Sequence, residues 1–255
     1  MKILLSLLFQ LIAICSLAQL TPVASGVIHW ADITVKKDAL REGRKIANGS
    51  TSELEYFDIH ATTQLKCAVA RPPHTQKDIE ELIIIKEGKM KCSIGNKITE
   101  LGKGSVLLIP PGEAQTFENI GDSALTYYVF MYRSKKINLV RSQLAGGTIV
   151  INADTLAVTK TATKSTTKYF DRPTTMCDNF EMHITALNTK GPSHAAHTHA
   201  DTEVILVIEG QTEMTIDGNH FTGVAGDIFI ANSGTLHNVG NPSNAPCSYF
   251  AFKWR

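Results

Sequence analysis

Two histidines and a glutamate in the C-terminal part of the chain have the spacing of metal ligands on a β-strand. His197 and His199 are two residues apart, and on an extended chain such side chains point to the same face. Glu203 follows after a short turn and can add a carboxylate oxygen to the two imidazoles. His237 lies further along, where a neighbouring strand could bring it to the same ion. This part of the chain therefore predicts a metal centre.

The residues around these ligands form two longer motifs. The first runs from Gly191 to Gly210 as G-x5-H-x-H-x3-E-x6-G, and the second from Gly226 to Asn241 as G-x5-N-x-G-x2-H-x3-N. Together they resemble the two motifs of the cupin family, which usually has Pro where this chain has Asn232. The resemblance implies a double-stranded β-helix, a small jelly-roll barrel with a metal ion inside. The ligands that it implies are His197, His199, Glu203 and His237.

A second copy of the pattern lies upstream. It reads H-x-Q-x4-E-x6-G and then G-x5-P-x-G-x2-Q-x3-N, and Glu203 follows its counterpart Glu81 by 122 residues. Such a repeat indicates a tandem duplication, and so an all-β bicupin with two tandem double-stranded β-helix (jelly-roll, cupin) barrels. The expected organisation is a signal peptide at 1–18, an N-terminal extension at 19–54, a first barrel at 55–134, a linker at 135–176 and a second barrel at 177–255.

The two repeats differ in their ligands. Gln76 and Gln115 stand where the second repeat has His199 and His237, and an amide is a neutral, weak ligand. We therefore expect the first repeat to be metal-free and mainly structural, with a vestigial site of His74, Gln76, Glu81 and Gln115. The alternative is a pocket in which these polar groups bind an organic ligand. The full set in the second repeat predicts one divalent ion, which could be Mn, Fe, Zn, Ni or Cu.

The first residues have the features of a secretory signal. Lys2 precedes an apolar run from Ile3 to Ile14, and Ser16-Leu17-Ala18 forms a small-residue cleavage site. We expect cleavage after Ala18 and a secreted or periplasmic protein. Disulfides are permitted there, and the four remaining cysteines could be bridged or be free thiols; they are Cys67, Cys92, Cys177 and Cys247.

Charge and hydrophobicity narrow the range of partners. Residues 1–18 contain one basic residue and no acidic one, which leaves 24 Lys and Arg against 24 Asp and Glu in the rest of the chain. Such a balance argues against a nucleic-acid partner, and the only long apolar run belongs to the signal, so we expect no membrane association after cleavage. The expected partners are a small-molecule substrate and a possible second copy of the chain in a homo-oligomer.

The ligand set favours a secreted metalloenzyme that acts on a small polar substrate, such as a carboxylate or sugar acid. Metal-assisted acid/base chemistry of the lyase, isomerase, decarboxylase or aminohydrolase type would suit it. One alternative is a metal-dependent dioxygenase similar to quercetinases, and another is a non-catalytic, metal-stabilised binding protein. Lys253 is a candidate catalytic residue, on a final strand that resembles that of the ureidoglycine aminohydrolases. That family's ligand order differs from the order found here.

Local patterns predict several further features. Leu82–Ile85 and Val204–Ile208 are apolar on both faces, as in strands packed on two sides. Gly95-Asn96 and Asp217-Gly218 are typical of hairpin turns. The run from Thr159 to Lys168 is rich in Thr and Lys and is expected to be a solvated connector. Three isolated histidines are expected to be structural or surface residues: His183, His194 and His220.

Overall fold

The structure is a computed structural model that describes residues 20–255, more than half of which lie in strands. In the first half the strands are β1 (Gly26–Ile28), β2 (Val35–Lys37), β3 (Arg41–Gly49), β4 (Leu54–Gln64), β5 (His74–Thr75), β6 (Glu80–Glu87), β7 (Met90–Ile94), β8 (Lys97–Leu101), β9 (Val106–Ile109), β10 (Ala114–Asn119) and β11 (Leu125–Ser134).

In the second half the elements are α1 (Leu139–Leu144), β12 (Ile149–Ile151), β13 (Thr159–Lys160), β14 (Lys164–Arg172), β15 (Phe180–Leu187), β16 (Gly191–Pro192), β17 (Thr202–Glu209), β18 (Gln211–Ile216), β19 (Asn219–Val224), β20 (Ile228–Ala231), β21 (His237–Asn241) and β22 (Cys247–Trp254). Short 3-10 helices at Trp30–Asp32 and Ala153–Thr155 precede β2 and β13.

The strands form two barrels, each made of a seven-stranded sheet over a four-stranded one. The first barrel has the orders β12-β9-β6-β11-β4-β3-β2 and β5-β10-β7-β8, and the second has β1-β20-β17-β22-β15-β14-β13 and β16-β21-β18-β19. Many neighbouring strands are not consecutive in the chain, such as β6 and β11 or β17 and β22, as in a jelly roll. The prediction of an all-β fold with two tandem barrels is therefore confirmed.

The two barrels exchange a strand at the edge of each large sheet. β1 leaves the N-terminal segment and pairs with β20 of the second barrel, whereas β12 leaves the inter-barrel segment and pairs with β9 of the first. Each exchange covers an edge that would otherwise be open to pairing with another chain. Asn232 helps to hold this arrangement, because its side-chain amide donates to the Val23 carbonyl at 2.8 Å, next to β1. The Asn in place of the usual Pro thus has a local structural role.

The segments 19–54 and 135–176, treated above as an extension and a linker, contribute further strands. β2 and β3 extend the first large sheet, and β13 and β14 extend the second. β13 and the start of β14 together take up most of the Thr/Lys-rich run, and β14 pairs with β15, so this run belongs largely to the sheet and is not a connector. β3 and β14 begin 123 residues apart, at Arg41 and Lys164. The duplication therefore reaches further toward the N-terminus than the motifs indicate.

The two large sheets pack against each other through a shared aromatic core. Alternate residues of β11 and β22 face this core, and the rings of Phe130 and Phe252 meet edge to face with centroids 5.0 Å apart. The residues between them, such as Val129 and Ala251, face the interior of their own barrel. Because each central strand is buried on both sides, its sequence is apolar on both faces, and this explains the uninterrupted runs in β6 and β17.

Tight hairpins build the four-stranded sheets as expected from the turn residues. Asp217 and Gly218 join β18 to β19 with φ angles of 47° and 80°, the type I′ geometry that suits the twist of paired strands. Gly95 opens the turn between β7 and β8 with a φ of 54°. A positive φ favours glycine at these turns.

The remaining sequence predictions concern export, membrane association and the cysteines. The signal peptide lies outside the described residues, so export stays a prediction. Between residues 20 and 255, no helix is long and apolar enough to cross a membrane. All four cysteines in this range are free thiols, with Cys67 exposed and the other three buried.

Candidate metal centre

Three histidines of the second barrel bring ring nitrogens to within 4.8 Å of one another: His197, His199 and His237. The Glu203 carboxylate joins them, with Oε2 at 3.3 Å from His199 Nε2 and 2.8 Å from His237 Nε2. When two ligand atoms bind one metal ion at right angles, each with a bond of about 2.1 Å to the ion, the two atoms lie about 3 Å from each other. The spacing of these side chains therefore fits a common ion, and the structure brings together all four residues singled out in the sequence.

Backbone contacts orient the imidazoles toward this point. The Nδ1 atom of His199 lies 2.9 Å from the Asp201 carbonyl, and that of His237 lies 2.8 Å from the Thr235 carbonyl. A carbonyl can only accept, so Nδ1 carries a proton in both rings, and Nε2 is the nitrogen that faces the Glu203 carboxylate. In both rings Nε2 is therefore the atom placed to bind an ion, which would take the position of the Nε2 proton.

The remaining ligand is positioned by a local bridge between two loops. His197 and His237 exchange backbone hydrogen bonds of 3.0 Å in both directions, which places His197 beside the start of β21. Its ring centroid lies 4.9 Å from that of His237. Burial and the neighbouring histidines lower the pKa of His197, so the neutral form that binds metal is favoured.

The electrostatics of Glu203 match this arrangement. Burial alone would raise its pKa, but hydrogen bonds and charge from His199 and His237 outweigh burial and hold the pKa well below its usual range. Burial likewise works against the charged form of His237, whereas the contact with Glu203 raises the His237 pKa overall. A buried carboxylate that stays ionised between imidazoles is a hard anionic ligand for a divalent cation.

A cavity of about 440 Å³ opens beside these ligands. Lys253 of β22 lines this cavity, so its side chain points into the barrel. In the sheet it lies between Glu181 of β15 and Glu203 of β17. Its Nζ is 3.6 Å from Glu181 Oε2. His183 also lines the cavity, with Nδ1 at 3.4 Å from Glu181 Oε1. A cation, an imidazole and the metal ligands therefore share one chamber.

Two histidines that seemed structural in the sequence thus belong to the site. Besides His183, the ring of His194 lines the cavity at 4.6 Å from the ring of His197. His220 is exposed on β19 and contacts Thr215, away from the cavity. The signal that could have identified His183 is the repeat itself, because the first half places His60 and Asp58 where the second has His183 and Glu181.

The equivalent point of the first barrel is organised differently. Glu81 is buried, and its carboxylate accepts hydrogen bonds from the side-chain amides of Gln76, at 2.9 Å, and of Gln115. His74 is exposed at the start of β5. Gln115 Oε1 is buried and has no hydrogen-bond partner among the described residues. Two amide donors thus occupy the positions where the second barrel has imidazole ligands.

Comparison with known families accounts for this architecture. The family model described as "Cupin domain" matches this chain twice, at residues 66–131 and 183–253. The two matches together cover more than half of the chain. The chain belongs to the cupin family. With two matches in tandem it is a bicupin, as the motifs predict. A comparison with curated protein sequences finds no match.

Solved structures share the whole two-barrel arrangement. The protein YlbA from E. coli, described by the family model DUF861, has a TM-score of 0.69 at 17% identity, over 90% of each chain. Oxalate decarboxylase from Lactobacillus farciminis, in complex with formate, has a TM-score of 0.70 at 11% identity, covering 91% of this bicupin and 87% of the decarboxylase. A putative glyoxylate-induced protein from Pseudomonas aeruginosa has a TM-score of 0.70 at 16% identity, with coverage of 93% and 90%. At these identities the likeness shows a common fold.

Proposed function

We propose that this bicupin is a metal-dependent enzyme that acts on a small carboxylate-bearing substrate in its second barrel. One observation carries the proposal: the imidazoles and carboxylate of the ligand cluster open directly onto a cavity whose wall holds Lys253 and His183. A metal cluster kept only for stability needs no such chamber. One divalent ion per chain is part of this proposal.

The donor set suits a first-row transition metal or zinc, because it combines neutral imidazoles with one hard carboxylate. The residues that would hold the ion are His197, His199, Glu203 and His237. When bound, such an ion supplies a Lewis acid for substrate oxygens. Its identity separates acid/base chemistry, served by Mn or Zn, from oxygen chemistry of the dioxygenase type, served by Fe or Cu.

Lys253 provides a positive charge for an anionic substrate. Its ammonium group lies in the cavity beside Glu181, and its strand neighbour on the other side is the ligand Glu203. A substrate carboxylate that enters the chamber can pair with this ammonium, which orients the rest of the molecule toward the imidazole cluster. Lys253 would therefore act in binding and in transferring a proton to a developing negative charge.

His183 has the properties of a proton acceptor in the same chamber. Burial lowers its pKa, against the opposing effect of the Glu181 charge, so the neutral imidazole is favoured at neutral pH. Its Nδ1 is the nitrogen that faces Glu181. With the proton on that nitrogen, Nε2 is the free base, and Glu181 would orient the ring as well as balance the charge of Lys253.

The structural neighbours support a small carboxylate as the substrate class. One is an oxalate decarboxylase in complex with formate, and another is described as glyoxylate-induced. A cavity of about 440 Å³ is the size of a small-molecule site. Export to the periplasm or outside the cell remains part of the proposal and rests on the signal-like residues 1–18.

Turnover by metal-replete protein tests the proposal. We would follow the consumption of oxalate, glyoxylate and sugar acids, together with oxygen uptake, in the wild type and in the Lys253→Met variant. This variant introduces the residue that the first barrel carries at the equivalent position, Met131. The expected result is a loss of about 100-fold or more in kcat/KM with unchanged metal content.

Three other results of the turnover assay would change the proposed function. Oxygen-dependent consumption would replace acid/base chemistry by dioxygenase chemistry. Saturable binding of these acids without any turnover would show a non-catalytic binding protein. Equal activity in the Lys253→Met variant would remove Lys253 from the mechanism.

A further inference from the structure

The first barrel has a cavity of its own at the position equivalent to the metal-site cavity. It measures about 220 Å³, and most of the residues in its wall have a counterpart in the wall of the second cavity. Besides His74 and Glu81, three polar residues of the second cavity are identical in the first: His60, Thr62 and Tyr127 correspond to His183, Thr185 and Tyr249. Two of the three imidazole ligands have been replaced, and Lys253 has become Met131, but these polar groups of the wall are still present.

The carboxylate behind the imidazole is also retained. Asp58 Oδ1 lies 2.7 Å from His60 Nδ1, as Glu181 lies beside His183 in the second barrel. A barrel that serves only as packing gains nothing from polar groups around a void, since cavities and unpaired polar groups both destabilise a protein. The retained wall is therefore better explained by a bound molecule than by folding.

The charge of this cavity differs from that of its counterpart. Arg71 lines the wall where the second barrel has His194, and Arg41 of β3 is added. Arg71 is exposed and Arg41 half-buried, which places both at the opening. The Arg41 guanidinium also donates to the Val69 carbonyl, and this contact holds it there. Two guanidinium groups at one opening form an anion site, because each can bind a carboxylate through paired hydrogen bonds.

The acidic groups of the cavity are held by other partners. Glu81, at the base of the cavity, accepts hydrogen bonds from the two glutamine amides, and the Asp58 carboxylate contacts His60, so neither forms an ion pair with Arg41 or Arg71. Asp38 is near both arginines but is fully exposed, and its carboxylate caps backbone amides. Burial raises the pKa of Tyr127, while hydrogen bonds with Gln64 and Thr62 and the charges of Arg41 and Arg71 act in the opposite direction.

We propose that the first barrel binds a small organic carboxylate without a metal ion. Arg41 and Arg71 hold the carboxylate at the opening, and His60, Thr62 and Tyr127 contact the polar remainder of the molecule. The cavity is smaller than the roughly 300–1,000 Å³ of sites for drug-sized ligands, so the ligand is a short carboxylic or dicarboxylic acid. The site is independent of the activity proposed for the second barrel.

Calorimetric titration of the metal-stripped His199→Ala/Lys253→Met double variant tests this proposal, because the second cavity then lacks both a metal ligand and the ammonium group that could bind a carboxylate. The probes are malonate and succinate, with succinamide as the neutral control and inorganic phosphate as a second anion. The expected result is saturable binding of at least one acid, at one molecule per chain, and no binding of succinamide. Adding Arg71→Gln should weaken binding about tenfold or more, as loss of a charge-assisted contact does, whereas Arg71→Lys should retain part of it.

The matched control is His194→Gln, which changes the equivalent position of the second barrel. If His194→Gln weakened binding of the acids and Arg71→Gln did not, the binding site would lie in the second barrel, and the proposal would be overturned. Absence of saturable binding for both acids would also overturn it. Phosphate binding as tight as that of the acids would show an unspecific anion site and reject the carboxylate assignment. Arg71 is exposed, and thermal unfolding of each variant confirms that its fold is intact.

Discussion

Restoring the missing imidazoles should create a second metal site in the first barrel. The change is Gln76→His together with Gln115→His, which reproduces the donor set of His199 and His237. In the wild type both glutamine amides already reach the Glu81 carboxylate, at 2.9 Å in the case of Gln76. The connection from Gln76 to Glu81 is one residue longer than that from His199 to Glu203, but these contacts show that it does not move the carboxylate out of reach.

The expected energies follow from the contacts that are exchanged. Each amide hydrogen bond to the buried Glu81 carboxylate is worth about 1.5–3 kcal/mol, so the metal-free double variant should lose stability by up to roughly twice that amount. A metal ion present at about 100 times its Kd returns about 2.7 kcal/mol. For a protein of this size that corresponds to a rise in Tm of about 5 °C or more.

Calorimetry and thermal unfolding in Zn²⁺ or Mn²⁺ provide the assay. We expect two ions per chain in the double variant and one in the wild type, with an additional metal-dependent rise in Tm. The single variants Gln76→His and Gln115→His are the controls, since each adds only one imidazole. A well-folded double variant that binds only one ion would refute the equivalence of the two sites.

Three further predictions concern processing, packing and pH. Mass spectrometry of the exported protein should show a mature chain that begins at Gln19; an intact Met1 or a lipid on Cys15 would contradict this. Phe252→Ala should lower the free energy of unfolding in urea by about 3–5 kcal/mol, because Phe252 packs between both barrels; a loss below about 1 kcal/mol would speak against a shared core. Burial raises the pKa of Glu80 above its ordinary value of 4.5, so the folded state holds this proton more tightly. Wild-type stability should then fall relative to Glu80→Gln as the pH rises above this ordinary value, and a constant difference would refute this.

Ligand identity and the duplication could be read from the sequence because they depend on local spacing. His197 and His199 have the spacing that places two side chains on one face of an extended chain, and the structure brings them together although they lie in the loop before β17 and not on a strand. A constant offset between Glu81 and Glu203 is enough to indicate that one fold occurs twice. Neither inference requires knowledge of which strands are neighbours.

Other features depend on pairings between distant parts of the chain. β1 and β12 are only three residues long each, and their partners β20 and β9 lie in the opposite barrel; no local signal marks such an exchange. The direction of Lys253 depends on strand register, since a shift of one residue would turn it toward the shared core. The repeat marks the pair of His183 and Glu181, but their place in the site depends on β15 lining the cavity.

Metal stoichiometry in matched variants tests the central claim most directly. Elemental analysis of purified wild type, His199→Ala and Gln76→Ala compares the same structural position in the two barrels. The expected result is one divalent ion per chain in the wild type and in Gln76→Ala, and almost none in a folded His199→Ala protein. Metal retained after loss of His199, or two ions per wild-type chain, would contradict the assignment of a single metal centre to the second barrel.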